Sequence, residues 1–306
     1  MKSTFRRFLV QGVFWRQFLR WAVLNMPLWI EPSILATWSV IFLLWGPGRR
    51  GVMLNLKSIL PRSTSIGNFF RTYRVFWNFA NVIADNVRFK ELRVGPDWEF
   101  VGSENFEDLQ SREGGAIILT AHMGSYDLGA HLFAEISRRQ LVMVRAPETD
   151  PDTRRYEEEL HDRTVTDALK IGFSTRANEL ALDLLHALQR GEIIAIQGDR
   201  VTPGISTLPS RLFGKRTLFP AGPFALAMAA RVPVYPLFIM RMGRRRYRLV
   251  VGKPFEVQRT RDRAESFDRA LTEWARDLEE VVRGAWFQWF TFQPFAHEAF
   301  ADEVPA

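Results

Sequence analysis

Five short apolar runs, separated by stretches with a helical repeat, organise this chain. Ala116–Thr120 (Ala-Ile-Ile-Leu-Thr) is continuously apolar, as a parallel strand covered on both faces must be. Leu141–Val144, Glu192–Ile196 and Val232–Met240 read as further strands, and Tyr247–Val251 as an antiparallel partner. Between them the spacing predicts a long aromatic-rich helix over about Ile66–Phe89 and helices over Ser125–Arg139 and Asn178–Arg190, the last stopped by Gly191. Asp150-Pro151 supplies a cap and a first-turn proline for a charged helix running to about Leu169. A loop with Pro203, Gly204 and Pro209 leads to Phe219–Pro223, a small-residue helix to Arg231 follows, and Ser266–Arg283 closes the chain as a helix. This alternation predicts an α/β fold, a central mostly parallel sheet flanked by helices.

The amino-terminal pattern is different. Phe5, Phe8, Trp15, Phe18, Leu19 and Ala22 share one side of a helical wheel, with Arg6, Arg7, Arg16, Gln17 and Arg20 over the other. Such a helix suits a lipid surface, its rings among acyl chains and its guanidinium groups among phosphates. The apolar stretch Pro32–Trp45 is 14 residues, about 21 Å as a helix against about 30 Å of hydrocarbon, which favours a surface or re-entrant anchor over a tilted span. Packing of these aromatics on the protein's own core is the alternative. No small-residue cleavage site follows, so the segment does not read as a secretory signal. We divide the chain into a basic, aromatic, membrane-associating helical region, 1–60, and a catalytic domain, 61–306.

Charge sharpens that division. The 306 residues carry 41 basic and 34 acidic side chains, a net of +7. Eleven basic residues face one acidic residue between Met1 and Ala84, so the front carries +10 and the remainder −3. The basic segment is too apolar for a solvated phosphate-binding arm, and no nucleic-acid-binding motif accompanies it, so no nucleic acid is expected as partner. Zero Cys excludes thiol nucleophiles and Cys-ligated metals. A G-x-S-x-G elbow, a Walker A loop and H-E-x-x-H are all absent. Gly46–Gly51 matches G-x-G-x-x-G but lacks the acidic residue about 20 positions on that a dinucleotide site requires, and reads as a turn. Asp150-Pro-Asp152 would suit a metal-dependent glycosyltransferase, but helix capping is the better explanation, since Pro after Asp is what a helix start favours.

What remains is His122-Met-Gly-Ser-Tyr-Asp127 at the carboxyl end of the first strand, the edge where open α/β sheets bind ligands. With His122 in the turn and Asp127 in the opening turns of the next helix, Asp127 would accept from one ring nitrogen and leave the other free to take a proton. A capping Asp beside a structural His is the competing reading. His131, His161, His186 and His297 have no partner at ligand spacing.

H-x4-D after a strand resembles the signature of the lysophospholipid acyltransferase superfamily, and Val232-Pro-Val-Tyr-Pro-Leu-Phe238 resembles its late Pro-x-x-Pro motif. The bacterial lipid A late acyltransferases and their relatives are closer still. Arg49-Arg50 with Asn55-Leu56, the His122/Asp127 pair, Arg163, Gly198-Asp199-Arg200, Leu212-Phe213-Gly214 and Phe219–Pro223 match their motifs in order over nearly the whole chain. Gly198-Asp199-Arg200 departs from the Asp-Gln of the lipid A enzymes, and the E-G-T-R phosphate motif of glycerolipid enzymes is absent.

The resemblance implies a glycerolipid acyltransferase-like sheet domain at the cytoplasmic face of the bacterial inner membrane, held peripherally or by one amino-terminal anchor. It implies transfer of a fatty acyl group from an acyl carrier protein or coenzyme A thioester to a hydroxyl of a lipid or glycolipid resembling a lipid A precursor, in lipopolysaccharide biosynthesis. No metal or redox cofactor is expected. Such a transfer needs a base, a means of holding two substrates together and relief for the oxyanion. His122 would be the base and Asp127 would orient it. Arg163 and Arg200 would hold acceptor phosphate or sugar groups or steady the oxyanion, with Gly198 and Gly222 in the binding surface. Asp199 would bind acceptor hydroxyls or support the His122 pair, unless Asp199 and Arg200 form only a structural ion pair. Arg211, Lys215, Arg216 and the Arg241–Arg248 cluster would face an acidic carrier or be a solvated edge. The aromatic tail from Trp286 to Phe295 would cover an acyl channel or pack beside the anchor. A glycosyltransferase using Asp150 and Asp152 and a non-catalytic membrane scaffold are the rival classes.

Overall fold

A computed structural model describes residues 13–46, 48–92, 97–126, 128–129, 133, 137, 139–145, 169–173, 177–202 and 204–296. The amino-terminal helices are α1 (Val13–Asn25), α2 (Glu31–Trp45), α3 (Arg49–Ile59) and the 28-residue α4 (Ser65–Leu92). There follow β1 (Asp97–Val101), α5 (Ser103–Ser111), β2 (Ala116–Thr120), β3 (Leu141–Arg145), β4 (Leu169–Phe173), α6 (Ala177–Gln189) and β5 (Ile193–Gln197). The carboxyl-terminal part comprises β6 (Thr207–Leu212), β7 (Lys215–Pro220), α7 (Gly222–Ala230), β8 (Val234–Gly243), β9 (Arg246–Val251), α8 (Arg263–Ala285) and a 3-10 turn at Trp286–Gln288.

Seven strands form one sheet in the order β1-β9-β8-β2-β5-β3-β4, in which only the β8–β9 pair is antiparallel. The expected α/β fold with a mostly parallel sheet is therefore present. The strands are apolar at consecutive positions because both faces are covered. Ile117, Leu119, Val142, Ile194 and Phe238 face α6, α7 and α8, packing with Leu184, Phe224, Leu271 and Trp274. Ile118, Leu141, Met143, Ala195, Leu237 and Ile239 face the other way, with Leu109, Leu128 and Phe133.

One expectation is corrected and two strands are added. Leu169–Phe173 is a strand, β4, paired in parallel with β3 and only five residues long, where the sequence offered no strand. The segment with Pro209 is not a plain loop but the β6–β7 hairpin, whose two-stranded sheet leaves Pro209 on an edge where its missing N–H is tolerated. Phe213 (φ 50°) and Gly214 (φ 72°) both take left-handed backbone at its tip, the turn that matches strand twist. Asp97–Val101 adds an edge strand whose mostly exposed residues gave no apolar signal. The expected helices over Ser125–Arg139 and from Asp150 lie wholly or mostly outside the described residues.

α2 and α3 pack on α4, and Leu43, Val52, Leu56 and Phe76 share a core with Phe290 of the carboxyl-terminal segment. Of the amino-terminal aromatics, Phe42 and Trp38 pack on the protein's own core, whereas Trp21, Trp29 and Trp45 are exposed. Gly46 begins the turn between α2 and α3, but the turn expected over Gly46–Gly51 is shorter than that, because Arg49, Arg50 and Gly51 already form the first turn of α3. Among the described residues no helix is long and apolar enough to cross a membrane.

Candidate active site

β2 and β5 are adjacent and parallel, with Thr120 opposite Gln197. Two residues further along each strand, His122 and Asp199 therefore stand level at the carboxyl edge of the sheet. The Gly198 N–H continues the ladder by donating to the Thr120 carbonyl at 2.8 Å. The Trp274 indole donates to the Gly198 carbonyl at 3.1 Å, and a Cβ on Gly198 would press into the Leu119 side chain. The turn that aims Asp199 is thus held from both sides.

Asp199 is completely enclosed, while the His122 side chain keeps 12% of its surface. His122 Nδ1 lies 2.7 Å from Asp199 Oδ1. Asp199 Oδ2 accepts from the His122 backbone N–H at 3.1 Å and from the Trp289 indole N–H at 2.8 Å. Burial works to raise the Asp199 carboxyl. The charge and hydrogen bond of His122, the indole of Trp289 and the charge of Arg200 outweigh it and hold the group below the usual carboxylate range. Asp199 is therefore a carboxylate that fixes the ring and its tautomer, with hydrogen on Nδ1 and a lone pair on Nε2. Arg200 Nη2 lies 2.6 Å from that Nε2.

The loop holding His122 is fastened to the carboxyl-terminal segment. Phe290 N–H donates to the His122 carbonyl at 2.8 Å, Gly124 N–H donates to the Gln288 carbonyl at 2.9 Å, and Met123 bridges to Trp289. Gly124 has φ of 52°, and a Cβ there would collide with the Ile239 carbonyl, so this position admits only glycine. Ser125 Oγ bonds Asn86 Oδ1 on α4. Tyr126 sets its ring edge-on to the imidazole, 5.5 Å between centroids. Tyr126 and Thr120 also line an apolar pocket with Phe133, Met143, Leu237 and Ile239.

Of the residues singled out in the sequence, the fold brings together His122, Gly198, Asp199 and Arg200. Asp199 supports the ring at Nδ1, the second of the two roles considered for it; Asp127 and Arg163 lie outside the described residues, as do Asp150 and Asp152. Gly222 opens α7 with nothing within 4 Å of where its Cβ would be. Arg211, Lys215 and Arg216 are exposed on the β6–β7 hairpin. Arg241 is partly internal, its Nε donating to Asp85 Oδ2 at 2.7 Å, whereas Arg244, Arg245 and Arg246 are exposed. His186 is exposed on α6. Among the described residues no cluster of His and carboxylates is arranged to hold a metal ion. Trp289 and Trp274 are the contributors the sequence did not reveal. Their aromatic character signals burial alone, and only the fold shows what each indole N–H meets.

No curated protein matches the chain. The family model described as bacterial lipid A biosynthesis acyltransferase matches residues 7–295. That match spans nearly all of the sequence and includes both strands that carry the His122–Asp199 pair, and the chain belongs to the bacterial lipid A biosynthesis acyltransferase family.

Proposed function

We propose that this acyltransferase moves a fatty acyl group from an acyl carrier protein or coenzyme A thioester to a hydroxyl of a lipid A precursor-like glycolipid, with His122 as general base. The observation that carries this reading is the buried Asp199 carboxylate 2.7 Å from His122 Nδ1, which leaves Nε2 as the nitrogen able to take a proton. As the acceptor hydroxyl attacks the thioester, its proton passes to Nε2, and the imidazolium that forms is stabilised by Asp199. The oxyanion then collapses, the thiolate leaves and recovers the proton from His122. The chain has no Cys and no serine elbow, which favours direct attack in a ternary complex over an acyl-enzyme. The apolar pocket beside Tyr126 is a natural seat for methylenes of the acyl chain. Asp127 would help to orient His122, and Arg163 would hold an acceptor phosphate or steady the oxyanion.

The same reading sets the protein on the cytoplasmic face of the inner membrane. Trp29, Val40, Ile41, Leu44, Trp45, Leu54, Ile66 and Phe70 are exposed on the amino-terminal helices and their turns, with Arg50, Lys57 and Arg62 also exposed there. Apolar rings among cations suit an anionic lipid surface better than water. α2, at 15 residues, is about 22 Å long and fits lying in the interface.

His122→Ala is expected to lower transfer at least about a thousandfold while leaving the fold intact. Mass spectrometry of envelope lipids from cells with and without the gene, and with the variant, measures this directly. The expected result is loss of one acyl group both without the gene and with the variant. Normal acylation by the variant would contradict the assignment of the base.

A further inference from the structure

The nitrogen that must accept the proton already has a donor. Arg200 Nη2 stands 2.6 Å from His122 Nε2, while Nδ1 faces Asp199 Oδ1 at 2.7 Å, so Nε2 presents its lone pair to a guanidinium N–H. An imidazole nitrogen has one lone pair, in the ring plane, and a guanidinium never supplies an acceptor in its place. A substrate hydroxyl and Arg200 therefore cannot both bond Nε2. We infer that Arg200 masks the base of the free enzyme, and that a phosphate group on a bound substrate unmasks it by drawing the guanidinium away.

Phosphate is the chemistry that competes best for this side chain. A guanidinium offers paired N–H donors that match two phosphate oxygens, a stronger arrangement than one bond to a neutral ring nitrogen. Arg200 is only half-buried and lies at the open edge of the sheet, beside the fixed Asp199, so its side chain can swing without moving the strand. The consequence is ordered use of the base. Until the phosphate arrives, water has no more access to Nε2 than an alcohol has, and a bound acyl thioester is protected from hydrolysis. Arg200 thereby discriminates between substrates that carry a phosphate near the reacting hydroxyl or thioester and those that do not. This inference rests on the general-base reading of His122 and adds the class of group that licenses it.

Diethyl pyrocarbonate acylates unprotonated imidazole nitrogen, and peptide-resolved mass spectrometry of the full-length protein follows His122 separately from the exposed His186, the internal reference. Wild type and Arg200→Ala are compared, with melting temperature as the check on folding, each alone and with inorganic phosphate, glucosamine 1-phosphate or 4′-phosphopantetheine. Loss of the masking bond is expected to raise the His122 rate about tenfold in Arg200→Ala. Inorganic phosphate is expected to move the wild-type rate toward that value and to leave the variant unchanged. Acceleration by the sugar phosphate alone among the two organic probes assigns the licensing group to the acceptor, and by phosphopantetheine alone to the donor. Equal rates in the two proteins, or slowing of the wild type by inorganic phosphate, overturn the masking. The wild-type phosphate series decides the matter even where the variant folds poorly. Retained acyl transfer by His122→Ala would instead remove the general-base reading, whatever the labelling rates.

Discussion

At the scale of single residues, Asp199 shows how a charge survives inside the protein. A lone carboxylate so deeply enclosed would take up a proton, because burial penalises its charged form. Its two oxygens instead meet His122 Nδ1, the His122 backbone N–H and the Trp289 indole. Trp289→Phe keeps most of the ring and removes one of these donors. The variant is expected to be less stable by about 2 kcal/mol at neutral pH, the value of a hydrogen bond to a charged group. The sign with pH follows from the lowered carboxyl of the folded protein. Stability from Asp199 is present above its unfolded value of 3.8 and is lost as pH falls through the lower folded value. Loss of the indole brings the folded value back toward the unfolded one, so wild type and variant should converge as both protonate. Urea unfolding followed from pH 7 downward checks this: the difference should hold through pH 3.8 and shrink only where the folded carboxyl takes up its proton, and a variant as stable as the wild type at pH 7 would show that the indole bond adds nothing.

At the scale of elements, the site depends on a strap that begins far from it. Asn55 on α3 donates to the carbonyls of Thr291 and Gln293, both at 2.9 Å, and its Oδ1 accepts from Phe295 N–H at 3.0 Å. A Cβ on Gly51, one turn earlier, would collide with the Phe292 carbonyl, so helix and strap approach closely. The strap continues back to Trp289 under Asp199 and Phe290 under His122. Asn55→Ala leaves the Thr291 carbonyl and the Phe295 N–H buried without this partner and should cost about 3 kcal/mol by urea unfolding. Activity should fall beyond what the unfolded fraction explains, because Trp289 loses its anchor. The Asn55-Leu56 step was visible in the sequence, but its purpose was not, since its partners lie more than 230 positions away. The interior strands were legible for the opposite reason: Ala116–Thr120 and Ile193–Gln197 are covered on both faces, and continuous apolar sequence is the direct result. Edge strands such as Asp97–Val101 and Thr207–Leu212 lack that constraint. The meeting of His122 and Asp199 was legible only as one of two roles for Asp199, because 77 positions separate them and only the adjacency of β2 and β5 brings residue 199 level with 122.

At the scale of the whole molecule, the distribution of exposed apolar and basic groups makes a membrane-bound orientation testable. Trp29 is 78% and Trp45 59% exposed, so neither contributes much to the core in solution. Their removal should leave melting temperature nearly unchanged, which already separates a lipid-facing role from core packing. Insertion of a tryptophan into the acyl boundary removes apolar surface from water worth about 2 kcal/mol, and each of Trp29→Ala and Trp45→Ala should therefore weaken vesicle binding by about tenfold or more. Arg50→Ala and Lys57→Ala act through a different term, about 1 kcal/mol per basic residue near an anionic surface, and screening by salt shortens its reach. Cosedimentation with vesicles of phosphatidylglycerol and phosphatidylethanolamine, titrated with sodium chloride, distinguishes the two. The tryptophan variants should shift affinity at every salt concentration with the slope unaltered, and the basic variants should flatten the slope. If both kinds of variant bind like the wild type, the exposed aromatic surface has some use other than contact with lipid.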